Sequence, residues 1–157
     1  MTLDPKIEEK IRTTFHAQAF MRTIGAEIDA VDLGHAEISA PLGEDFLQHN
    51  GVGHAGLTFA LGDTAAGFAA ATTMTLDGNV LTTEMKINLL APATGDRLRA
   101  VGRVIKPGKR LIVTQADVYA ERAGSAPVHV AILIGSMVAA QPKTRSPIKM
   151  AAQTSGP

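Results

Sequence analysis

Residues 48–74 read QHNGVGHAGLTFALGDTAAGFAAATTM and gather the side chains best placed to do chemistry. A glycine-rich turn runs into a helix of small apolar residues that carries one carboxylate, Asp63. A helix apolar on every side is expected to be buried all round. An ionised carboxylate in such a helix is costly unless it is paired or reactive, so Asp63 is the first candidate for a nucleophile or general base. The competing reading is a carboxylate satisfied by Thr64 or by a neighbouring helix end. His54 stands at the helix start, where a packing or helix-end histidine and a functional one fit the sequence equally well. Gln48 and Asn50 precede the turn. They read as ordinary loop polarity, or as side-chain amides that orient a carbonyl or a water. Thr82 and Thr83 read first as plain strand residues and second as contacts to the same site.

Several chemistries are excluded or weak. Gly51, Gly53 and Gly56 spell GxGxxG, but a dinucleotide site needs a strand before the motif and a parallel strand after its helix. Here a loop precedes it and antiparallel strands follow, so glycines shaping a loop suffice. His49 and His54 are five apart, with no carboxylate at a familiar ligand spacing and no HExxH, so no metal is expected. There is no GxSxG elbow, no P-loop and no plausible Ser-His-Asp spacing. The chain has no cysteine, which removes thiolate chemistry and disulfides. Lys106, Lys109 and Arg110 surround a hairpin tip and read as solvated charges, with phosphate binding the minority reading. An enzyme built from these residues must use a carboxylate, an amide and backbone N–H groups.

The elements that must position them follow from periodicity. Asp4-Pro5 starts a helix, and Ile7, Ile11 and Phe15 at four-residue spacing predict it over 5–19. Strands are expected over 24–31 and 35–40. The central helix is predicted over 54–74, and Asp77-Gly78 forms a turn. The period then changes to two: Leu81, Thr83, Met85, Ile87 and Leu89 alternate with polar residues. Three more strands follow, near 97–104, 111–120 and 128–138, joined by turns at Pro107-Gly108 and at 124–127. A long apolar helix followed by four antiparallel strands predicts a sheet that covers its apolar face with that helix.

The length of 157 residues predicts one domain, placed at 1–140, with a polar, disordered tail over 141–157. Fifteen Lys+Arg balance fifteen Asp+Glu, which points to neither nucleic acid nor an anionic membrane as partner. The first residues are charged and lack the apolar core of a signal peptide, so a cytoplasmic setting is expected. Residues 57–71 are apolar but short for a membrane span, and they contain Asp63.

Taken together, these residues resemble the hotdog-fold acyl-CoA thioesterases, in the phenylacetate-degradation (PaaI-like) branch. In that family a glycine-rich turn with HGG enters the central helix, and an acidic residue follows within LxD. Here these are His54-Ala55-Gly56 and Leu61-Gly62-Asp63. A later strand running through I-N-x-L-x-P-A into G-D is present as 83–96, TEMKINLLAPATGD. The resemblance covers about residues 20–140. It implies an α+β hotdog fold, an antiparallel β-sheet wrapped around a long central α-helix. It implies hydrolysis of an acyl-CoA thioester to free acid and CoA, with no metal or other cofactor and with coenzyme A entering as part of the substrate. Asp63 is then the catalytic carboxylate, as nucleophile or as base. The Ala55 backbone N–H polarises the thioester carbonyl, Gln48 positions the nucleophile or the thioester, and His54 precedes the oxyanion donor. Asn50, Gly56, Thr82 and Thr83 are expected to bind substrate. The middle glycine of HGG is Ala55 here, and a backbone donor tolerates alanine at negative φ.

Helix geometry adds a constraint. Asp63 is nine residues beyond His54, about 13–14 Å along a helix axis at 1.5 Å per residue. One helix cannot bring both the Ala55 N–H and the Asp63 carboxylate to one carbonyl. The expectation is therefore a homodimer at least, with composite sites at the subunit interface, and by family resemblance a homotetramer. Two other functions stay open: a hotdog acyl-thioester dehydratase and a non-catalytic acyl-CoA binding protein.

Overall fold

In the computed structural model, which describes residues 2–140, the first helix starts where Asp4 and Pro5 direct it. Asp4 Oδ1 accepts from the Lys6 N–H at 2.9 Å, and α1 spans Pro5–Ala17. Gln18 breaks it with extended backbone, φ −73° and ψ 112°, and a short α2, Ala19–Thr23, follows. The helix expected over 5–19 thus ends at Ala17, and a second, unexpected helix follows it. Ile24, expected in the first strand, instead caps α2. The tail expected to be disordered over 141–157 lies outside the described residues.

Strands β1 (Glu27–Asp32) and β2 (His35–Pro41) form a hairpin, and a 3-10 turn at Glu44–Phe46 leads to the central helix α3, Ala55–Ala71. The helix ends three residues before its expected limit. The Thr72 and Thr73 hydroxyls donate to Ala69 O and Ala70 O, and such side-chain bonds compete with helical continuation. Then come β3 (Asn79–Leu89), β4 (Arg97–Lys106), β5 (Ile112–Glu121) and β6 (Val128–Ala140).

These make one six-stranded antiparallel sheet in the order β1-β2-β4-β5-β6-β3. Strands β4, β5 and β6 form the expected meander, but β3 does not join it through β4. It pairs with β6 and becomes an edge. This placement lets the sheet reach round α3 from both sides, β2 and β4 on one and β3 and β6 on the other. The antiparallel sheet wrapped around a central helix is the hotdog arrangement.

Close wrapping depends on small residues. Ala65, Ala66, Ala69 and Ala70 of α3 are fully buried. A Cβ at Gly102 of β4 would lie 2.3 Å from the Ala65 carbonyl, so only glycine lets this strand approach. Leu61 and Leu133 fill the space between helix and sheet with no exposure; truncating such a leucine to alanine costs about 2–5 kcal/mol. Helix α1 seals one flank through Ile11 and Phe15, whose ring meets Phe68 edge-on at 6.0 Å. The outer face of the sheet is charged. Arg99 donates to Glu121 at 2.7 Å and to Glu37 at 2.9 Å, which accounts for the arginines alternating along β4.

A bulge in β3 decides which threonine meets the helix. The pairing with β6 shifts between Thr82 and Glu84, leaving Thr83 as the extra residue. The strict alternation expected from Leu81 to Leu89 is therefore broken. Beyond the bulge Met85 and Ile87 pack on the core, whereas before it Val80 does, and Leu81 stands 56% exposed.

Candidate active site

The turn before α3 is built backbone-first. Gln48 N–H donates to Val52 O at 2.7 Å, and Gly51 N–H donates back to Gln48 O at 2.9 Å. Gly51 sits at φ +77°, which glycine adopts without the strain a side chain would bring at this position. Asn50 Oδ1 accepts from the Val52 N–H at 3.3 Å, an Asx turn. Gly53 N–H donates to Ala93 O and His54 N–H to Phe46 O, each at 2.8 Å, which fixes where the helix begins.

His54 is the N-cap of α3. Its Nδ1 accepts from the Gly56 N–H at 2.9 Å. Leu57 and Thr58 N–H groups turn back to His54 O. The Ala55 N–H has no hydrogen-bond partner among the described residues, and Ala55 borders a cavity of about 370 Å³ together with Gln48, Asn50, Gly53 and Thr58. The far wall is 89–93. The region thus offers a free backbone donor at the positive end of a helix dipole, beside two side-chain amides. His54 and Gly56 border a different, more apolar hollow with Phe20, Phe46 and Leu47.

Asp63 lies two turns further along α3 and opens on a second cavity, of about 390 Å³. Thr82 Oγ1 donates to Asp63 Oδ1 at 2.8 Å. Burial raises the Asp63 pKa above the ordinary carboxylate value, and the Thr82 bond opposes that rise by favouring the charged form. A carboxylate that works only when ionised therefore loses activity, as pH falls, at a higher pH than a free aspartate would. Thr82→Val removes the opposing bond and should move the acidic limb of the kcat profile to still higher pH, as steady-state rates across pH would read. An unmoved limb would mean that Thr82 does not act through Asp63.

The two cavities share no lining residue. The structure brings Gln48, Asn50 and Ala55 together in one, and Asp63 and Thr82 in the other. Thr83 borders neither; its hydroxyl donates to Ser136 O at 3.0 Å across the bulge. Sequence reasoning missed Thr14 of α1 and Gln18, its C-cap, which wall the Asp63 cavity. Their only signal is position, four residues apart on the edge of the Ile7-Ile11-Phe15 stripe. Among the described residues no cluster of metal-ligating side chains is present and no helix is long and apolar enough to cross a membrane.

Comparison with known proteins supplies the context. The model of the thioesterase superfamily matches residues 50–126, from the turn before α3 to the turn between β5 and β6. A thioesterase family protein from Silicibacter pomeroyi is 36% identical over 86% of this chain and 98% of its own, with a TM-score of 0.83. A candidate esterase of Saccharolobus solfataricus is 31% identical over 96 residues, 61% of this chain; the match spans 63% of that relative's length. The E. coli PaaI protein from the phenylacetic acid degradation operon shares the fold at a TM-score of 0.77 over 88% of this chain and 96% of its own, at 22% identity.

Proposed function

This chain belongs to the thioesterase superfamily, and from that premise we propose that it hydrolyses an acyl-CoA thioester to free acid and CoA. The observation that carries the reading is Asp63: the one acid of an apolar helix, held by Thr82 and open to a cavity. Asp63 acts in one of two ways. As nucleophile it attacks the thioester carbon, CoA leaves as thiolate, and water then cleaves the acyl-aspartyl anhydride. As base it takes a proton from the water that attacks directly. In either case the carbonyl oxygen gains charge, and the free Ala55 N–H at the start of α3 is suited to hold it. Gln48 and Asn50 would orient the thioester beside that donor.

Ala55 and Asp63 belong to different cavities, so a complete site takes its halves from two chains. Edge strand β3 supports this. It is eleven residues long and, among the described residues, unpaired on its outer side, and it exposes Leu81 and Leu89 by more than half. An edge of this kind is a template for a second copy. Its Leu89 end borders the Ala55 cavity and its Thr82 end borders the Asp63 cavity. Antiparallel pairing of β3 with its own copy about a central two-fold sets the Thr82 end of one chain beside the Leu89 end of the other. Two composite sites result, each with Asp63 from one chain and Ala55 from its partner. Assembly of such dimers into a homotetramer rests on family resemblance alone.

A panel of acyl-CoA esters with free-thiol detection tests the reading. Thiol release that depends on Asp63 supports it. Water loss from a 3-hydroxyacyl thioester without thiol release would make the protein a dehydratase, and tight binding without turnover would make it a carrier.

A further inference from the structure

Three glycines interrupt α3, and helix interiors disfavour glycine relative to alanine. Two have a packing reason. A Cβ at Gly56 would lie 2.9 Å from His54 Nδ1, and one at Gly62 would lie 2.6 Å from Leu133 Cδ1. Gly67 has none. A Cβ there would meet only Val80 Cγ1, at 3.9 Å, an ordinary contact, and its φ is not positive. The helix bears a weak residue where alanine would fit.

What Gly67 borders is the Asp63 cavity. It follows Asp63 by four residues and so shares its helix face, about 6 Å further along the axis. Phe68, Val80, Thr14 of α1 and its C-cap Gln18 line the same cavity. Thr14, Phe68 and Val80, with Asn79, border both this cavity and a smaller hollow, of about 40 Å³, that continues to Ile7, Lys10, Ile11 and Ala71. Asp63, Gly67 and Ala71 are spaced i, i+4, i+8 and mark a channel that runs along α3 beneath α1. It is polar near the carboxylate; at its other end Ile7, Ile11 and Ala71 lie beside Lys10, whose Nζ is held by the Leu76 and Gly78 carbonyls.

We infer that this channel takes the acyl group and that the missing side chain at Gly67 sets its length: the substrate class is acyl chains of about six carbons or more, extended along α3 with the terminal carbons toward Ile7, Ile11 and Ala71. The inference rests on the thioesterase reading of the same site. A two-carbon acyl group ends short of Gly67. A longer one must pass it, where a branched side chain would stand in the way.

The test compares the wild type with Gly67→Ala and Gly67→Val on acetyl-CoA, hexanoyl-CoA and octanoyl-CoA. The ratio of kcat/KM for octanoyl over acetyl ester should fall at least tenfold in Gly67→Val and by less in Gly67→Ala. Gly67→Ala should melt no lower than the wild type, because its Cβ fits and alanine favours the helix, so a narrowed range in that variant is not a folding defect. An unchanged ratio, or an equal loss on all esters, overturns the inference. If the wild type releases thiol from none of them, the thioesterase reading falls, and the channel is read by binding alone. Non-hydrolysable octanoyl and acetyl thioether analogues of CoA are then titrated into both proteins. A tenfold relative loss of the octanoyl analogue in Gly67→Val sustains the channel; equal affinities, or no binding to the wild type, overturn it.

Discussion

Asp63→Ala should keep the fold and lose kcat by a factor on the order of 10² or more. The side chain is half-buried and its one hydrogen bond among the described residues is to Thr82, so no structural network collapses there when it is removed. Burial opposes its charge, and removing a carboxylate that resists ionisation relieves the folded state at neutral pH rather than straining it. The loss should therefore be kinetic: thermal melting near or above that of the wild type, with turnover nearly gone. A folded variant with close to wild-type turnover would mean that the chemistry lies elsewhere.

Ala55→Pro should be as severe, by a different route. The substitution deletes the one N–H that the oxyanion needs and little else. Proline is favoured at the first position of a helix, and Ala55 is that position. The residue before a proline must be extended, and His54 already is, at φ −66° and ψ 134°. Among the described residues the Ala55 N–H makes no bond that folding would miss. Removal of a single oxyanion donor costs about 10²–10³ in kcat where it has been measured. Ala55→Gly keeps the donor and should be mild. If the proline variant turns over normally, the carbonyl is polarised by another group, and circular dichroism with a melting curve separates that result from unfolding.

The sequence made the central helix, its entry turn and the strand count legible because each has a strong local signal: an unbroken apolar run, clustered glycines, and period-two alternation. Asp63 stood out for the same reason, as the one charge in an apolar helix. Four features were not legible. The pairing of β3 with β6 is non-local, and nothing within β3 distinguishes that partner from β4. The bulge at Thr83 comes from the fit of β3 to β6 and inverts the facing of two adjacent threonines, so Thr82, not Thr83, reaches Asp63. The cavity walls from α1 depend on how that helix lies over α3, which an amphipathic stripe sets only by its buried residues, Ile11 and Phe15, and not by the flanking Thr14 and Gln18. The break at Gln18 has no helix-stopping residue to announce it.

Mixing two inactive chains tests the composite site most directly. Asp63→Ala chains retain the Ala55 donor, and Ala55→Pro chains retain the carboxylate. Each alone should be nearly inactive. After subunit exchange, followed by mass, half of the dimers are mixed and each mixed dimer has one intact site, so roughly a quarter of wild-type activity should return. Proven exchange with no recovery would place both halves within one chain, against the span of about 12 Å that eight residues of α3 put between Ala55 and Asp63.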